Sequence, residues 1–600
     1  MRLAICRTLE LERQRLLPPV HFSVPRIGSL LVSLLLLGCD GAILGSHGAA
    51  DSGPPLSSGG TSSTSAGTGG IPSTTTGPTD EELRAKDPVL FDVALKYFPE
   101  QAGAPGKKRL FRLTRQQLDA TTQALLPKHY GKSTFETLPR DPLQTNYEYA
   151  DNLSISAANF TPLTQWIAEL AGKVKADPKS VIDCSAEADS PACLQASAQA
   201  FVRRAFRGVV DDASLERFGK FFSDSVSAVG VAQATADLVD VTLGSPGYVF
   251  REEVHTSADG RLLPAQLLQN LSYTLADAPP EAVGLKLPAE DAAPLGEAEL
   301  ARAVQTVLAT PAARAKLLRF FSAWLEVKEP QDFDLSPSVY PEFTAEVAAA
   351  VVTDTRKFLE QQLGSALPTL RDVTDTNVAL VSAPSAFLYG LAAAPSDGKL
   401  TPAPSERLGI FSQPAVIASH SGPTTTRLVK RGVFFTRKVM CLPLGVPPPG
   451  VNTTIPEEVM GSERERIEGV TAEPRCLGCH AFINPFGFMQ ENYDAMGRYR
   501  TMDAGKPINA SISVDFLDEG PFTATTPVEA LRGFTQSLRF QQCFTRQLFR
   551  FYTGRDEAAA DDPLLRQLFF EFAQNGRQNL LGVLTQLATS PGFNSRTETP

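Results

Sequence analysis

The sequence predicts a mainly α fold, built as several consecutive helical domains with a small cofactor-binding domain near the C-terminus. Three observations lead there. Stretch after stretch carries apolar residues at helical spacing. No segment shows sustained alternation of period two, a βαβ pattern or a fixed-period repeat. Clusters of Pro, Gly and Asp, such as Ala278-Pro279-Pro280 and Pro447-Pro448-Pro449-Gly450, punctuate the helical stretches.

At the N-terminus, Ile27–Gly38 reads IGSLLVSLLLLG, which suits the core of a signal peptide but is too short to span a bilayer as a helix. Arg26 supplies the positive flank, and the run ends Leu36-Leu37-Gly38-Cys39, which resembles the lipobox of bacterial lipoproteins. Residues 1–38 are therefore expected to be a leader of lipoprotein type, with Cys39 acylated and first in the mature chain; an ordinary signal peptide with a chance cysteine is the alternative. Translation starting nearer Val24-Pro25-Arg26 would fit the unusually long basic region before the apolar run. Residues 39–80 follow as a tether, because Gly45–Thr79 is dominated by Ser, Thr, Gly and Pro and has too little apolar surface to offset the entropy of ordering.

Over the full 600 residues, 42% apolar and 20% charged residues are an ordinary globular composition. The formal net charge of −10 contains no block of like charge, which excludes a nucleic-acid footprint. The expected boundaries are 81–180 and 181–258 for two helical domains, 259–398 for a central one, 399–505 for the cofactor domain and 506–600 for a last helical domain. The helices are expected at Leu113–Leu126, opened by Thr114 as a cap, and at Cys193–Phe206, Ser214–Ser227, Ala265–Leu275, Glu299–Glu326, Phe343–Leu363 and Thr526–Phe551. A charged helix, Arg464-Glu465-Arg466-Ile467-Glu468, leads into the cofactor motif.

That motif is Cys476-Leu477-Gly478-Cys479-His480. Covalent haem attachment needs two thiols one helical turn apart, both reaching the vinyl groups of one porphyrin, and an imidazole directly after them to ligate the iron. With 8 Cys and 6 His in 600 residues, chance would produce the pattern roughly 10⁻³ times per chain. A zinc site would want a second Cys/His pair, and a thioredoxin-like motif a βαβ context; neither is present. One covalent haem c is therefore expected on Cys476, Cys479 and His480, in agreement with export from the cytoplasm. The aromatics from Phe482 to Tyr499 could wall a porphyrin, although each taken singly is better read as core.

An exported chain can form disulfides. Cys184 and Cys193, nine apart around a polar loop, are expected to pair. Cys441 and Cys543 flank the haem motif, and sequence alone does not bring their Cα atoms within the ~4.4–6.8 Å that a bridge requires, so a bridge and two thiols both remain open.

The chain resembles the planctomycete and myxobacterial secreted proteins defined by a fixed order of domains of unknown function, with a c-type haem motif in the penultimate domain. The resemblance spans most of 108–595. It is carried by Arg112-Leu113-Thr114-Arg115, Arg203-Arg204-Ala205-Phe206-Arg207, Leu271-Ser272-Tyr273, Lys430-Arg431-Gly432, Arg475-Cys476 through Arg498-Tyr499-Arg500, Pro507-Ile508-Asn509-Ala510 and Gly554-Arg555. The family usually has Asp where this chain has Asn484 and Asn509. The resemblance implies a haem protein of the cell envelope and leaves its substrate unassigned.

Two functions stay in view. The first is electron transfer to a redox partner by a monohaem protein held at the membrane by its lipid. The other is a haem enzyme of peroxidase or oxygenase type, with a structural or binding role for the envelope behind it. Electron transfer leads because no His, Arg or carboxylate cluster stands out as a peroxidase-like distal set. His480 is expected as the proximal ligand, its second ring nitrogen held by a backbone carbonyl near Pro485. Met489 or Met496 is favoured as the distal ligand, with His420 as the imidazole alternative and Met440, Met460 and Met502 as further thioethers.

Overall fold

Thr79, Asp87 and Thr114 each stop the chain in an extended conformation and accept a hydrogen bond from the first turn of a following helix, so α1 (Asp80–Lys86), α2 (Pro88–Tyr97) and α3 (Arg115–Leu125) begin where their caps stand. Thr114 forms the expected cap, and Gln117 answers it by reaching back to the Thr114 backbone. This computed structural model describes residues 77–597 apart from 105, 132–134, 136–137, 145–146, 188, 290–291, 396–397, 446–460 and 577. The leader 1–38, Cys39, most of the 39–80 tether and Met460 lie outside the described residues.

Helices dominate the described residues, as the sequence predicts. After α3 come α4 (Ala157–Ala176), α5 (Pro191–Ala205), α6 (Asp212–Gly244) and α7 (Pro264–Ala276). The expected helix over Glu299–Glu326 is two, α8 (Glu297–Leu308) and α9 (Pro311–Trp324). Pro311 lacks the N–H to continue α8, and Thr310 caps α9 by accepting from Ala313 N. Then follow α10 (Ala345–Gln362), α11 (Leu428–Phe434), α12 (Glu463–Thr471) and α13 (Pro474–Phe488). The stretch Thr526–Phe551 divides in the same way, into α14 (Pro527–Gln536) and α15 (Leu538–Thr553), because Ser537 turns out of the helix to cap Phe540 N. α16 (Asp562–Ala573) and α17 (Leu580–Thr589) close the chain.

In the opposite sense, the expected Ser214–Ser227 helix runs on to Gly244, broken only at Gly230, whose φ of +81° a glycine adopts freely. Among the described residues α6 alone is long and apolar enough to cross a membrane. It packs against α4 and α5, burying Phe222, Leu238 and Val239 with Trp166 and Phe201.

The described residues from 77 to 597 belong to one compact unit. Within it α1 and α2 pack with the C-terminal helices. There the buried Arg566 guanidinium bonds the Asp80 carboxylate at 2.7 and 2.9 Å and donates to Phe98 O. Residues Gly106–Lys107 pair in parallel with Arg596–Thr597, and Arg109–Arg112 run antiparallel to Phe250–Glu253. These two- and four-residue ladders are too short to show a period in sequence, yet they tie both chain ends to the centre.

The largest core gathers aromatics from α9 and α15. Trp324 meets Phe544 edge to face at 5.2 Å, and its indole N–H donates to Lys438 O at 2.8 Å. Each such aromatic pair adds about 0.5–1.5 kcal/mol beyond the area it buries. Cys184 and Cys193 are bridged, as expected, with Cα atoms 5.9 Å apart. Cys441 and Cys543 are bridged too, at 5.2 Å, which resolves the pairing that the sequence leaves open.

Candidate cofactor-attachment site

α12 starts on a reciprocal cap between Ser462 and Glu465, and after Ala472-Glu473 the chain re-enters a helix at Pro474, the first residue of α13. The C-terminal half of α13 is core. Ile483, Phe486, Gly487 and Phe488 are buried, with Phe486 4.8 Å from Phe534 and 5.9 Å from Phe435. Its partner is α11, and the two meet backbone to backbone. A Cβ on Gly432 would sit 2.3 Å from Ile483 O, and one on Gly487 would sit 2.5 Å from Leu428 O, so only glycine allows this approach.

The N-terminal half of α13 stands clear of that packing. Pro474–His480 are half-buried or exposed, Leu477 reaching 49% exposure. By helical spacing Cys476, Cys479 and His480 lie on the face that Ile483 and Gly487 continue. The face is covered by α11 toward its C-terminal end, and at its N-terminal end the two thiols and the imidazole are half-buried, while Arg475, Leu477, Gly478 and Ala481 on the opposite side are exposed. Both thiols are unbridged and half-buried.

His480 is oriented by a chain of hydrogen bonds. Its Nδ1 lies 2.8 Å from Asn484 Oδ1, Asn484 Nδ2 donates to Thr471 Oγ1 at 3.0 Å, and Thr471 Oγ1 donates to Ile467 O at 2.7 Å. The carbonyl of Ile467 can only accept, so the Thr471 hydroxyl donates there and accepts from the Asn484 amide. Asn484 thus presents its oxygen to His480, which must donate from Nδ1. The neutral imidazole keeps its lone pair on Nε2, the form a metal ligand needs. The expected partner, a backbone carbonyl near Pro485, is replaced by a side chain one helical turn on. The i, i+4 spacing of His480 and Asn484 is the sequence signal that would have found it.

The buried Arg431 guanidinium fixes the turn after α13, donating to Gln490 O, Tyr493 O and Asp494 O at 2.7–3.1 Å and to Ser421 Oγ. This accounts for Lys430-Arg431-Gly432 as a unit: the arginine holds the end of α13 and the glycine admits its middle.

The other expected ligands stand elsewhere in the fold. Met489 is nine residues from His480, about 180° around the helix, and is fully buried. Met496 belongs to a separate core with Ala415 and Tyr389. His420 is stacked on Phe434 at 3.9 Å, and its Nε2 is 3.0 Å from Leu325 O; burial pushes it down to about 3, so the ring stays neutral. Met440 is core, and Met502 is exposed on a hairpin with Lys506-Pro507. The aromatics after the motif are largely core: Phe482 and Phe486 both contact Phe516, and Tyr493 is buried.

Helices with short sheet ladders define the class, a mainly α protein. Comparison with protein families agrees in chain order. Residues 262–391 match a protein of unknown function (DUF1592), 407–503 one of unknown function (DUF1588), and 526–593 another (DUF1585). These three matches in series are those of the planctomycete-type multi-domain family that the sequence resembles. No curated protein and no solved structure matches it.

Proposed function

We propose that the chain is an extracytoplasmic, membrane-anchored monohaem protein of c-type cytochrome kind that transfers electrons to a redox partner. The observation that carries this reading is the N-terminal half of α13. Two free thiols three residues apart and an imidazole with its Nε2 lone pair available stand half-buried on one helix face, and such a set fits a covalently held haem. Cys476 and Cys479 would form the thioethers and His480 would ligate the iron; when bound, the haem supplies one-electron chemistry. Asn484 and Thr471 hold the imidazole in the donor form, and a motif at the surface suits electron exchange with a protein partner. Two disulfides fit an oxidising compartment. Acylation at Cys39 provides the anchor, and Cys39→Ala is expected to move the protein out of the membrane pellet.

The test is extraction. Matured with a c-type haem system in the periplasm, the protein keeps its haem through acid–acetone treatment, because thioether bonds survive where iron–ligand bonds do not. The Cys476→Ala, Cys479→Ala double variant releases it. Haem lost from the wild type on extraction refutes the reading.

A further inference from the structure

A second site lies away from 474–480. The end of α7, the middle of α9 with the loop after it, the start of α3 and the end of α15 enclose a cleft of about 520 Å³, a size typical of small-molecule sites. At its floor is Asp277, which caps α7 at φ +52°, a left-handed conformation that costs a non-glycine residue about 1 kcal/mol. Polar contacts hold it there. Its carboxylate accepts from Gln117 Nε2 at 3.0 Å, from Lys316 Nζ at 2.8 Å, and from Arg319. Lys316 also donates to Tyr273 O at 3.0 Å and is only 5% exposed.

This floor has more donors than the protein satisfies. Lys316 has three N–H bonds and two of these partners. Arg319 spends one nitrogen on Asp277, lies 5.5 Å from the Phe551 ring and is 34% exposed to the cleft side. Arg251 bonds Asn270 and Thr274 through one nitrogen while its buried Nε has no partner among the described residues. Tyr552, another lining residue, has a buried hydroxyl without a partner there. Three cations thus face Asp277 and Glu148. Burial pushes the Glu148 carboxyl up, toward its neutral form, and pushes Lys316 down to about 8 against the pull of Asp277. A buried charge cluster of this kind is seldom retained for stability, since apolar packing of equal volume would serve as well or better.

The remaining lining sets the rest of the ligand. Leu143, Ala323, Val327 and Phe551 offer apolar wall, and the Glu148 carboxyl and the Tyr552 hydroxyl offer partners for hydroxyl groups. Glu326, Glu329 and Asp332 at the same opening repel polyanions. We infer that this cleft binds a small hydroxylated monocarboxylate, its carboxylate seated on Arg319 and Lys316 and its hydroxyls toward Glu148 and Tyr552.

The probes are D-gluconate and D-glucuronate, with D-glucose as the uncharged counterpart and inorganic phosphate as the anion without a carbon body. Titration calorimetry on the full chain should show saturable binding of at least one sugar acid below about 20 mM and none of glucose or phosphate. Arg319→Gln leaves the Asp277–Lys316 pair intact and should weaken sugar-acid binding about tenfold or more. Arg319→Lys should restore part of it, with both variants melting close to the wild type. No binding by either sugar acid, equal binding by phosphate, or an unchanged affinity in a folded Arg319→Gln protein overturns the inference.

Discussion

His480 Nδ1 and Asn484 Oδ1 are 2.8 Å apart, and the amide oxygen at that position is a neutral acceptor. A carboxylate would draw the Nδ1 proton harder, make the imidazole a stronger donor to the metal and favour the oxidised iron. Asn484→Asp should therefore lower the reduction potential of the haem-loaded protein by on the order of 50 mV. Asn484→Leu, which breaks the link to Thr471, should loosen the imidazole and speed its exchange with added ligands. Redox titration of the three proteins checks the order. A potential that rises in Asn484→Asp would count against the proposed role of this hydrogen bond.

The Cys441–Cys543 bridge closes a loop of 102 residues that contains α12, α13 and the whole attachment motif. A loop of about a hundred residues restricts the unfolded chain by roughly 4.7 kcal/mol in the chain-entropy account. Replacing both cysteines by Ser should cost about that much stability in denaturant melts, while Cys184→Ser with Cys193→Ser, closing nine residues, should cost less. Equal losses for the two pairs would show that strain or local packing, not loop closure, sets the contribution.

What the sequence made legible was local chemistry. Thr114 announces its helix because a cap and its acceptor are three residues apart, and Cys476, Cys479 and His480 fall on one face because the helical repeat puts them there. The Thr310-Pro311 break was visible but lost to the continuous apolar pattern on either side of it. Features that depend on distant residues left no local trace. Arg566 finds Asp80 across 486 positions, and the cleft joins Gln117, Asp277, Lys316 and Tyr552 from four helices or their ends. The distal candidates are hard to read for a related reason. A methionine near the motif in sequence is as good a core residue as a ligand, and for Met489 the packing of α13 on α11 decided it.

Glu491, just beyond α13, supplies a test of acid behaviour next to the attachment helix. Its Oε1 accepts from Arg464 N at 3.2 Å, while its Oε2 is buried without a partner among the described residues. Burial, helped by the nearby Asp503 and Glu463 carboxylates and opposed by Arg464 N and Arg500, pushes its carboxyl up to about 7. A carboxyl raised above its unfolded value of about 4.5 leaves the native state holding the extra proton, so its contribution to stability is full below pH 4.5 and is lost as pH rises through 7. Glu491→Gln removes the titration. Its melting temperature relative to wild type should be several degrees more favourable at pH 8 than at pH 5. A difference that is the same at both pH values would rule out a raised Glu491.

The last prediction concerns Met489, Met496 and His420, each committed to core packing away from the face of α13 that carries Cys476, Cys479 and His480. Met489 is buried on the far side of that helix, Met496 packs with Ala415 and Tyr389, and His420 is stacked on Phe434 and bonded to Leu325 O. To reach the iron opposite His480, any of them would have to leave a packed site, and emptying such a site costs about 2–5 kcal/mol for a methionine-sized side chain. Met489→Ala and Met496→Ala should accordingly lower the melting temperature and leave the visible spectrum of the haem-loaded protein unchanged, and His420→Phe, which keeps the stack, should do the same. The ferric absorption near 695 nm, characteristic of iron–thioether bonds, is the discriminating signal. If it is present in the wild type and disappears in one methionine variant alone, that methionine is the ligand and α13 must unpack when haem is attached; if cyanide binds the ferric wild type readily and equally in all three variants, none of them holds the sixth position.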